Sequence, residues 1–241
     1  MEKLFRPPES TAFEPRHELK YFISPAGHAH LRALFNSILH RDENGDADNN
    51  YIVRSLYFDD AFDSAYFTKV SGSPDRQKYR IRIYNYSEDV IYLERKSKRE
   101  SLIVKDSARI TRRLCEQIIS GNPSKLSLSP NPLLQDLFRE MRLNVLRPTV
   151  IVDYVREAYT HPTENVRITF DKYLRTGLFA TDLFDAKLPL IDPMDDQRMI
   201  MEVKYDRYLP DYIRALLGTV PGEYAAISKY VLCRRFHMLA E

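Results

Sequence analysis

The sequence predicts an α+β protein of about eight chiefly antiparallel strands with helices packed outside them, and three observations carry that expectation. Charged residues share the parity of one strand face in five short segments, Arg80 with Arg82, Glu94 with Lys96, Glu18 with Lys20, Arg167 with Asp171, and Glu202 with Lys204. Their neighbours are apolar or aromatic, as in Tyr79-Arg80-Ile81-Arg82-Ile83 and Met199-Ile200-Met201-Glu202-Val203, so strand geometry gives each segment one charged and one apolar face. Segments with cap and stop signals for helices lie between them. At 241 residues and 44% hydrophobic content the chain can bury a substantial core. We read it as a single domain over 13–241 behind a flexible arm of residues 1–12. An ordinary sandwich turns its apolar faces inward and scatters its charges, whereas a barrel can turn a charged face inward if a polyanion and a metal fill it.

The elements follow in order. Arg16 to Ile23 alternates as a strand, and Ser24-Pro25 supplies an N-cap with proline at the first position of a helix to about His40. Arg41 to Asn50, acidic and containing Asn-Gly, reads as a loop. Tyr51 to Phe58 is a strand stopped by Asp59-Asp60, where a short helix through Val70 starts, and Ser71-Gly72-Ser73-Pro74 breaks that helix. Strands are expected at Lys78 to Tyr86, Val90 to Ser97 and roughly Ser101 to Arg109, with Ser87-Glu88-Asp89 as the first turn. Helices follow at Thr111 to Ser120, ended by Gly121, and at Pro132 to Leu143. Strands return at Thr149 to Ala158, Asn165 to Leu174, about Thr176 to Phe184, and Met199 to Tyr205; helices at Pro210 to Gly218 and about Ser228 to Met238 close the chain.

Net charge is only +2, which does not announce a nucleic-acid binder. The distribution says more. From Arg76 to Arg113 there are twelve Lys or Arg against five Asp or Glu, an excess of seven that leaves the rest of the chain at about −5. A basic band on an otherwise mildly acidic protein suits a focused anion site. Cys115 and Cys233 lie in helical segments without CxxC spacing, and no secretory leader precedes them, so a reduced, cytoplasmic setting is expected. No apolar run approaches a membrane span, so direct membrane insertion is not expected, although a membrane-protein partner stays open. The six histidines lack HExxH or comparable spacing, and Walker A, GxGxxG and GxSxG are absent. The sixteen tyrosines mostly alternate with charges at core positions, so nucleic acid is not an expected partner.

Arg80 and Arg82, preceded by Lys78, form a fork of cations matched to adjacent phosphates; alone, a solvated strand face would explain them better. Lys96 and Lys98 on the next strand strengthen the anion reading. Glu18, Glu94 and Glu202 lie on three strands, each followed two residues later by lysine (Lys20, Lys96, Lys204). A hard divalent cation takes oxygen ligands while such lysines grip the phosphates it bridges; cross-strand salt bridging is the alternative. Asp153 and Arg156 are out of phase, and Arg156 is the one we place inward. Arg167 and Asp171 share a face and could be structural. Ser228-Lys229 opens the last helix, where amide groups and the dipole can hold an anion, and capping by Ser228 explains the pair equally well.

In order along the chain, Arg16-His17-Glu18-Leu19-Lys20-Tyr21, Arg54-Ser55-Leu56-Tyr57-Phe58-Asp59, Lys78-Tyr79-Arg80-Ile81-Arg82, Leu93-Glu94-Arg95-Lys96, Val166-Arg167-Ile168-Thr169-Phe170-Asp171, Met201-Glu202-Val203-Lys204-Tyr205-Asp206 and Ser228-Lys229-Tyr230 resemble the catalytic domain of the vacuolar transporter chaperone (VTC) family. The resemblance is closest to its free-standing bacterial relatives within the CYTH-like triphosphate tunnel metalloenzymes. It covers about Pro15 to Phe236 and implies an eight-stranded antiparallel β-barrel, the triphosphate tunnel, with helices outside.

By that resemblance the activity would be polyphosphate polymerase: transfer of the ATP γ-phosphoryl group to a growing inorganic polyphosphate chain with Mn²⁺ or Mg²⁺. Lys20, Arg80, Arg82, Lys96, Arg167, Ser228 and Lys229 would hold phosphates, with Lys105 as an addition, and Glu202 would bind the metal. Our own reading of the strands adds Arg156 and Lys204 to the phosphate set and Glu18 and Glu94 to the metal set. Lys20, Arg80, Arg82 and Lys96 are the expected catalytic cations, since phosphoryl transfer asks chiefly for positioning and charge neutralisation. Two departures stand out. Arg16 replaces the first glutamate of the hydrolases' E-x-E-x-K, and Ala226 stands where the polymerase pattern favours a lysine. A metal-dependent tripolyphosphatase and a non-catalytic polyphosphate- or triphosphate-binding regulatory module are the alternatives.

Overall fold

The computed structural model describes residues 16–100, 102–194 and 196–239. The arm expected at 1–12 and the start of the strand expected at Ser101 lie outside the described residues. The strands are β1 (His17–Ile23), β2 (His40–Arg41), β3 (Asn50–Asp59), β4 (Arg76–Tyr84), β5 (Ile91–Arg99), β6 (Leu102–Ile110), β7 (Arg147–His161), β8 (Val166–Thr176), β9 (Met199–Tyr205) and β10 (Glu223–Tyr224). The helices are α1 (Pro25–Ile38), α2 (Ser64–Val70), α3 (Arg112–Ile119), α4 (Pro132–Leu143), α5 (Asp211–Leu217) and α6 (Lys229–Leu239). The result is a mixed α/β protein with a large antiparallel sheet of ten strands. The expected antiparallel sheet with added helices is present. The expected eight strands are ten among the described residues, and no pairing of those strands closes the sheet into a barrel.

The described residues divide into two compact units, 16–52, 154–174 and 194–228 in the first, and 53–153, 175–193 and 229–239 in the second. In the first unit the strand order is β10-β1-β9-β8-β7, with β2 paired to β7. Its core gathers Ile23, Tyr159, Ile168, Phe170, Met201 and Val203, apolar alternates of the strands, with Leu31 and Phe35 of α1. Ser24 caps α1 by accepting from Gly27 N at 3.1 Å, and Pro25 occupies its first turn, as the sequence predicts. Beneath α1, buried Glu157 receives Lys172 Nζ at 2.8 Å and the Tyr159 hydroxyl at 2.7 Å, with His28 Nε2 2.9 Å away. Burial would raise the Glu157 carboxyl, but these partners outweigh it and hold it down at about 2.

In the second unit the order is β7-β3-β4-β5-β6. Leu56, Phe58, Tyr79, Ile81, Ile83, Ile91 and Leu93 face a core closed by Cys115 and Ile118 of α3 and Leu133, Leu134 and Leu137 of α4. Thr111 and Asn131 cap these two helices through Leu114 N and Leu133 N. α2 begins at Ser64, five residues after Asp59, because Asp59 and Asp60 bind the amides of Ala65, Tyr66, Phe62 and Ser64 and hold the intervening chain as a loop. The strand expected at about Thr176 to Phe184 does not form. The backbone leaves β8 after Thr176, where Gly177 passes so close to Ile151 that an added Cβ would lie 3.1 Å from it. Buried Arg54 then satisfies the carbonyls of Leu183 (3.4 Å) and Asp185 (2.6 Å) in place of a strand partner.

Candidate functional site

In the second unit the register places three lysines directly abreast, Lys78 opposite Lys96 on β4 and β5, and Lys96 opposite Lys105 on β5 and β6. Arg80 lies opposite Glu94, and Arg76 opposite Lys98, on the same face. Like charges abreast on neighbouring strands are destabilising, so this face is incomplete without counter-charge. Glu94 supplies one. Only 4% exposed, it takes Arg80 Nε at 2.6 Å, Lys105 Nζ at 2.5 Å and Arg82 Nη1 at 3.7 Å. Burial would raise the Glu94 carboxyl, but Arg80, Arg82 and Lys105 outweigh it and hold it well below the usual carboxylate range. Burial pushes Lys105 down to about 8, with Arg80 and Arg82 acting in the same direction and Glu94 against it.

Tyr57 and Ser55 complete this face from β3. Arg80 Nη1 donates to the Tyr57 hydroxyl at 2.8 Å and Arg82 Nε to Ser55 Oγ at 3.3 Å, which fixes the arginine fork. Tyr57 packs at a tilt against Tyr230 of α6 with ring centroids 5.1 Å apart, Lys78 Nζ lies 5.0 Å from the Tyr230 ring centroid, and the Tyr230 hydroxyl donates to buried Asp59. Lys229 opens α6 one residue earlier, close to where the sequence predicts the last helix to start. Sequence reasoning missed Tyr57 and Ser55, although their shared parity with Arg80 and Arg82 across β3 and β4 was the available signal.

In the first unit, β1 and β9 make a checkerboard: Glu18 opposite Lys204, and Lys20 opposite Glu202. Lys20 Nζ sits 2.7 Å from Glu18 and donates to the Ile227 carbonyl at 3.3 Å, and Lys204 pairs with Glu202. Burial lowers the Lys204 ammonium below the ordinary lysine range against the pull of Glu202 and Glu18. β8 extends the face with Arg167 opposite Lys204 and Thr169 opposite Glu202. Arg167 is tied to Asp42 at 2.7 Å and to the Tyr51 hydroxyl at 3.0 Å, and Arg156 grips Asp171 through both carboxylate oxygens at 2.7 and 2.9 Å. Arg16 is held by the Asn165 carbonyl and Asp206. Ser228 precedes α6, and Ala226 is exposed two residues before it.

The three glutamates do not gather into one carboxylate cluster: among the described residues no group of three Asp, Glu, His or Cys could hold a metal alone. Glu94 sits amid three cations. Glu18 and Glu202 offer carboxylate oxygens on diagonal positions, and Thr169 Oγ1, buried beside them, has no hydrogen-bond partner among the described residues. That all-oxygen set fits Mg²⁺ or Mn²⁺ taken up together with phosphate oxygens, the usual way in which Mg²⁺ is held by one or two carboxylates. Burial pushes the Cys115 thiol up to about 12 and Cys233 higher still, which leaves neither as a nucleophile.

These features define a mixed α/β protein whose large antiparallel sheet carries charged faces. The chain belongs to the VTC domain family, whose family model matches residues 15–237 and whose members are generally enzymes acting on phosphates. Among solved structures it is similar to a Bacillus halodurans protein provisionally assigned as an adenylate cyclase, at 10% identity and a TM-score of 0.47 over 86% of this chain and 87% of that one. It is also similar to a conserved hypothetical protein from Pyrococcus furiosus, at 10% identity and a TM-score of 0.42 over 85% and 86%. No curated protein matches. Among the described residues no helix is long and apolar enough to cross a membrane.

Proposed function

We propose that this protein is a polyphosphate polymerase-like enzyme that transfers the γ-phosphoryl group of ATP to an inorganic polyphosphate chain, with Mn²⁺ or Mg²⁺, in a cytoplasmic setting. The observation that carries the reading is the row of Lys78, Lys96 and Lys105 abreast on three strands beside the Arg80–Arg82 fork. A lone phosphate would neutralise one or two of these charges; a chain of phosphates matches a row. The family membership supplies the phosphate chemistry.

In this reading Arg80 and Arg82 hold phosphates on the second unit's face, with Lys96 and Lys105 neutralising charge beside them, and Lys20 is a phosphate-holding candidate on the first unit's face. Lys204, Arg156, Arg167, Ser228 and Lys229 are the remaining phosphate-facing candidates. Glu202, with Glu18, would hold the divalent ion, which supplies charge neutralisation at the transferring phosphoryl group when bound. Glu94 keeps the arginine fork aligned until the phosphates arrive.

The test incubates the purified protein with ATP and Mn²⁺ and resolves the products on a gel stained for polyphosphate. A ladder lost in Glu202→Ala and in Arg82→Ala, with circular dichroism unchanged, is the expected outcome. Phosphate release from tripolyphosphate without a ladder would replace the polymerase by a tripolyphosphatase. Binding with neither product would leave a regulatory module, the reading that Ala226 favours.

A further inference from the structure

We infer that Thr169 is a further binding residue of the first unit, its hydroxyl a hard oxygen donor beside Glu202 for the divalent cation that accompanies the phosphate chain. This rests on the phosphate-handling reading above and adds a group to it. Thr169 is 5% exposed, lies directly opposite Glu202 on the charged face of β8, and its Oγ1 is buried with no partner among the described residues. Lys20 lies opposite Glu202 from the other side, so hydroxyl, carboxylate and ammonium form one row across three strands.

A buried hydroxyl without a partner carries a desolvation penalty that valine, of the same shape, would not. Valine also suits a strand interior at least as well. The hydroxyl is therefore open to a group that enters to meet it. The neighbouring carboxylate sets what that is, since a hydroxyl oxygen beside a carboxylate is a cation's donor set. The contrast with the second unit supports the assignment. There Ser107 Oγ is likewise without a partner and lies opposite Glu94, but Arg80, Arg82 and Lys105 surround that carboxylate and repel a metal ion.

The test compares wild type, Thr169→Val and Thr169→Ser as full-length protein. Mn²⁺ uptake is followed by the electron paramagnetic resonance signal of free Mn²⁺, with and without tripolyphosphate; metal-free tripolyphosphate binding is measured by calorimetry, and the ligand-free melting temperature by circular dichroism. Thr169→Val is expected to lose about tenfold in Mn²⁺ affinity, a typical effect of disturbing a metal's immediate surroundings. Its metal-free tripolyphosphate affinity stays unchanged, its ligand-free melting temperature is equal or higher, and Thr169→Ser regains the Mn²⁺ affinity. The inference is overturned if Thr169→Val takes up Mn²⁺ like wild type, if it loses metal-free tripolyphosphate binding in equal measure, or if its ligand-free melting temperature falls. Wild-type protein that binds Mn²⁺ in neither condition overturns it as well. Failure of wild type to bind tripolyphosphate without metal strikes the parent reading alone.

Discussion

The two units carry charged sheet faces of opposite design. On β4, β5 and β6 of the second unit, eight cations (Arg76, Lys78, Arg80, Arg82, Lys96, Lys98, Lys105, Arg109) share a face with one carboxylate, Glu94. On the first unit's face Lys20, Lys204, Arg156 and Arg167 meet Glu18, Glu202 and Asp171, almost in balance. E-x-K alternation in the sequence thus gives two different surfaces, depending on what the neighbouring strands bring alongside. Where lysines meet lysines, the face calls for an anion. Where each lysine meets a glutamate, it can offer oxygens to a cation.

The strongest challenge to that contrast is to strip the cationic fork. Arg80→Ala combined with Arg82→Ala should weaken tripolyphosphate binding by more than about 100-fold, since each hydrogen bond to a charged group contributes about 1.5–3 kcal/mol. Calorimetry at fixed salt measures this, and a drop of less than tenfold would mean that the second unit's face is not the principal anion site. A pH titration gives a smaller effect. Burial, aided by Arg80 and Arg82, lowers Lys105 to about 8, so its ammonium is charged below that pH and neutral above it. Tripolyphosphate affinity should fall as pH rises through about 8, by more than the ligand's own ionisation accounts for. Lys105→Arg, charged at every pH, should remove the step. The bound anion favours the ammonium, so the step should move upward in the complex.

The smallest effect is the most diagnostic. Lys96→Ala relieves the like-charge row and should raise ligand-free stability by about 0.2–1 kcal/mol while weakening tripolyphosphate binding severalfold. Chemical denaturation and calorimetry on the same preparation check both signs. Stability that falls together with binding would show Lys96 to be structural.

Much of this arrangement was legible in the sequence. Strand period placed Arg80 with Arg82 on one face of their strand and Glu94 with Lys96 on one face of the next, and Ser24, Thr111 and Asn131 mark helix starts because a cap acts within three residues of its position. What needs long-range information stayed hidden. Period alone cannot say that Lys78, Lys96 and Lys105 fall abreast, because register depends on pairing between strands. The strand expected at about Thr176 to Phe184 failed for a related reason: the alternation looked adequate, but Arg54, more than 120 residues away, satisfies the carbonyls there. Arg156 and Asp171 share a face, as their parities allow, yet their bidentate pairing needed coordinates. Thr169 could have been found from its parity with Arg167, but a threonine in a strand attracts no notice until its hydroxyl is seen to lack a partner.

Asp59 also bears on how the chain is made. Its buried carboxylate is satisfied by amides close in sequence and by the hydroxyl of Tyr230, 171 residues later. A ribosome delivers Asp59 long before Tyr230, so a nascent chain holds β3 and the start of α2 with an unfilled acceptor until α6 emerges. Pairing at such separation is slow to find. The second unit therefore reaches its finished form late in synthesis, with its arginine fork present from early on and the helix that begins at Lys229 arriving last.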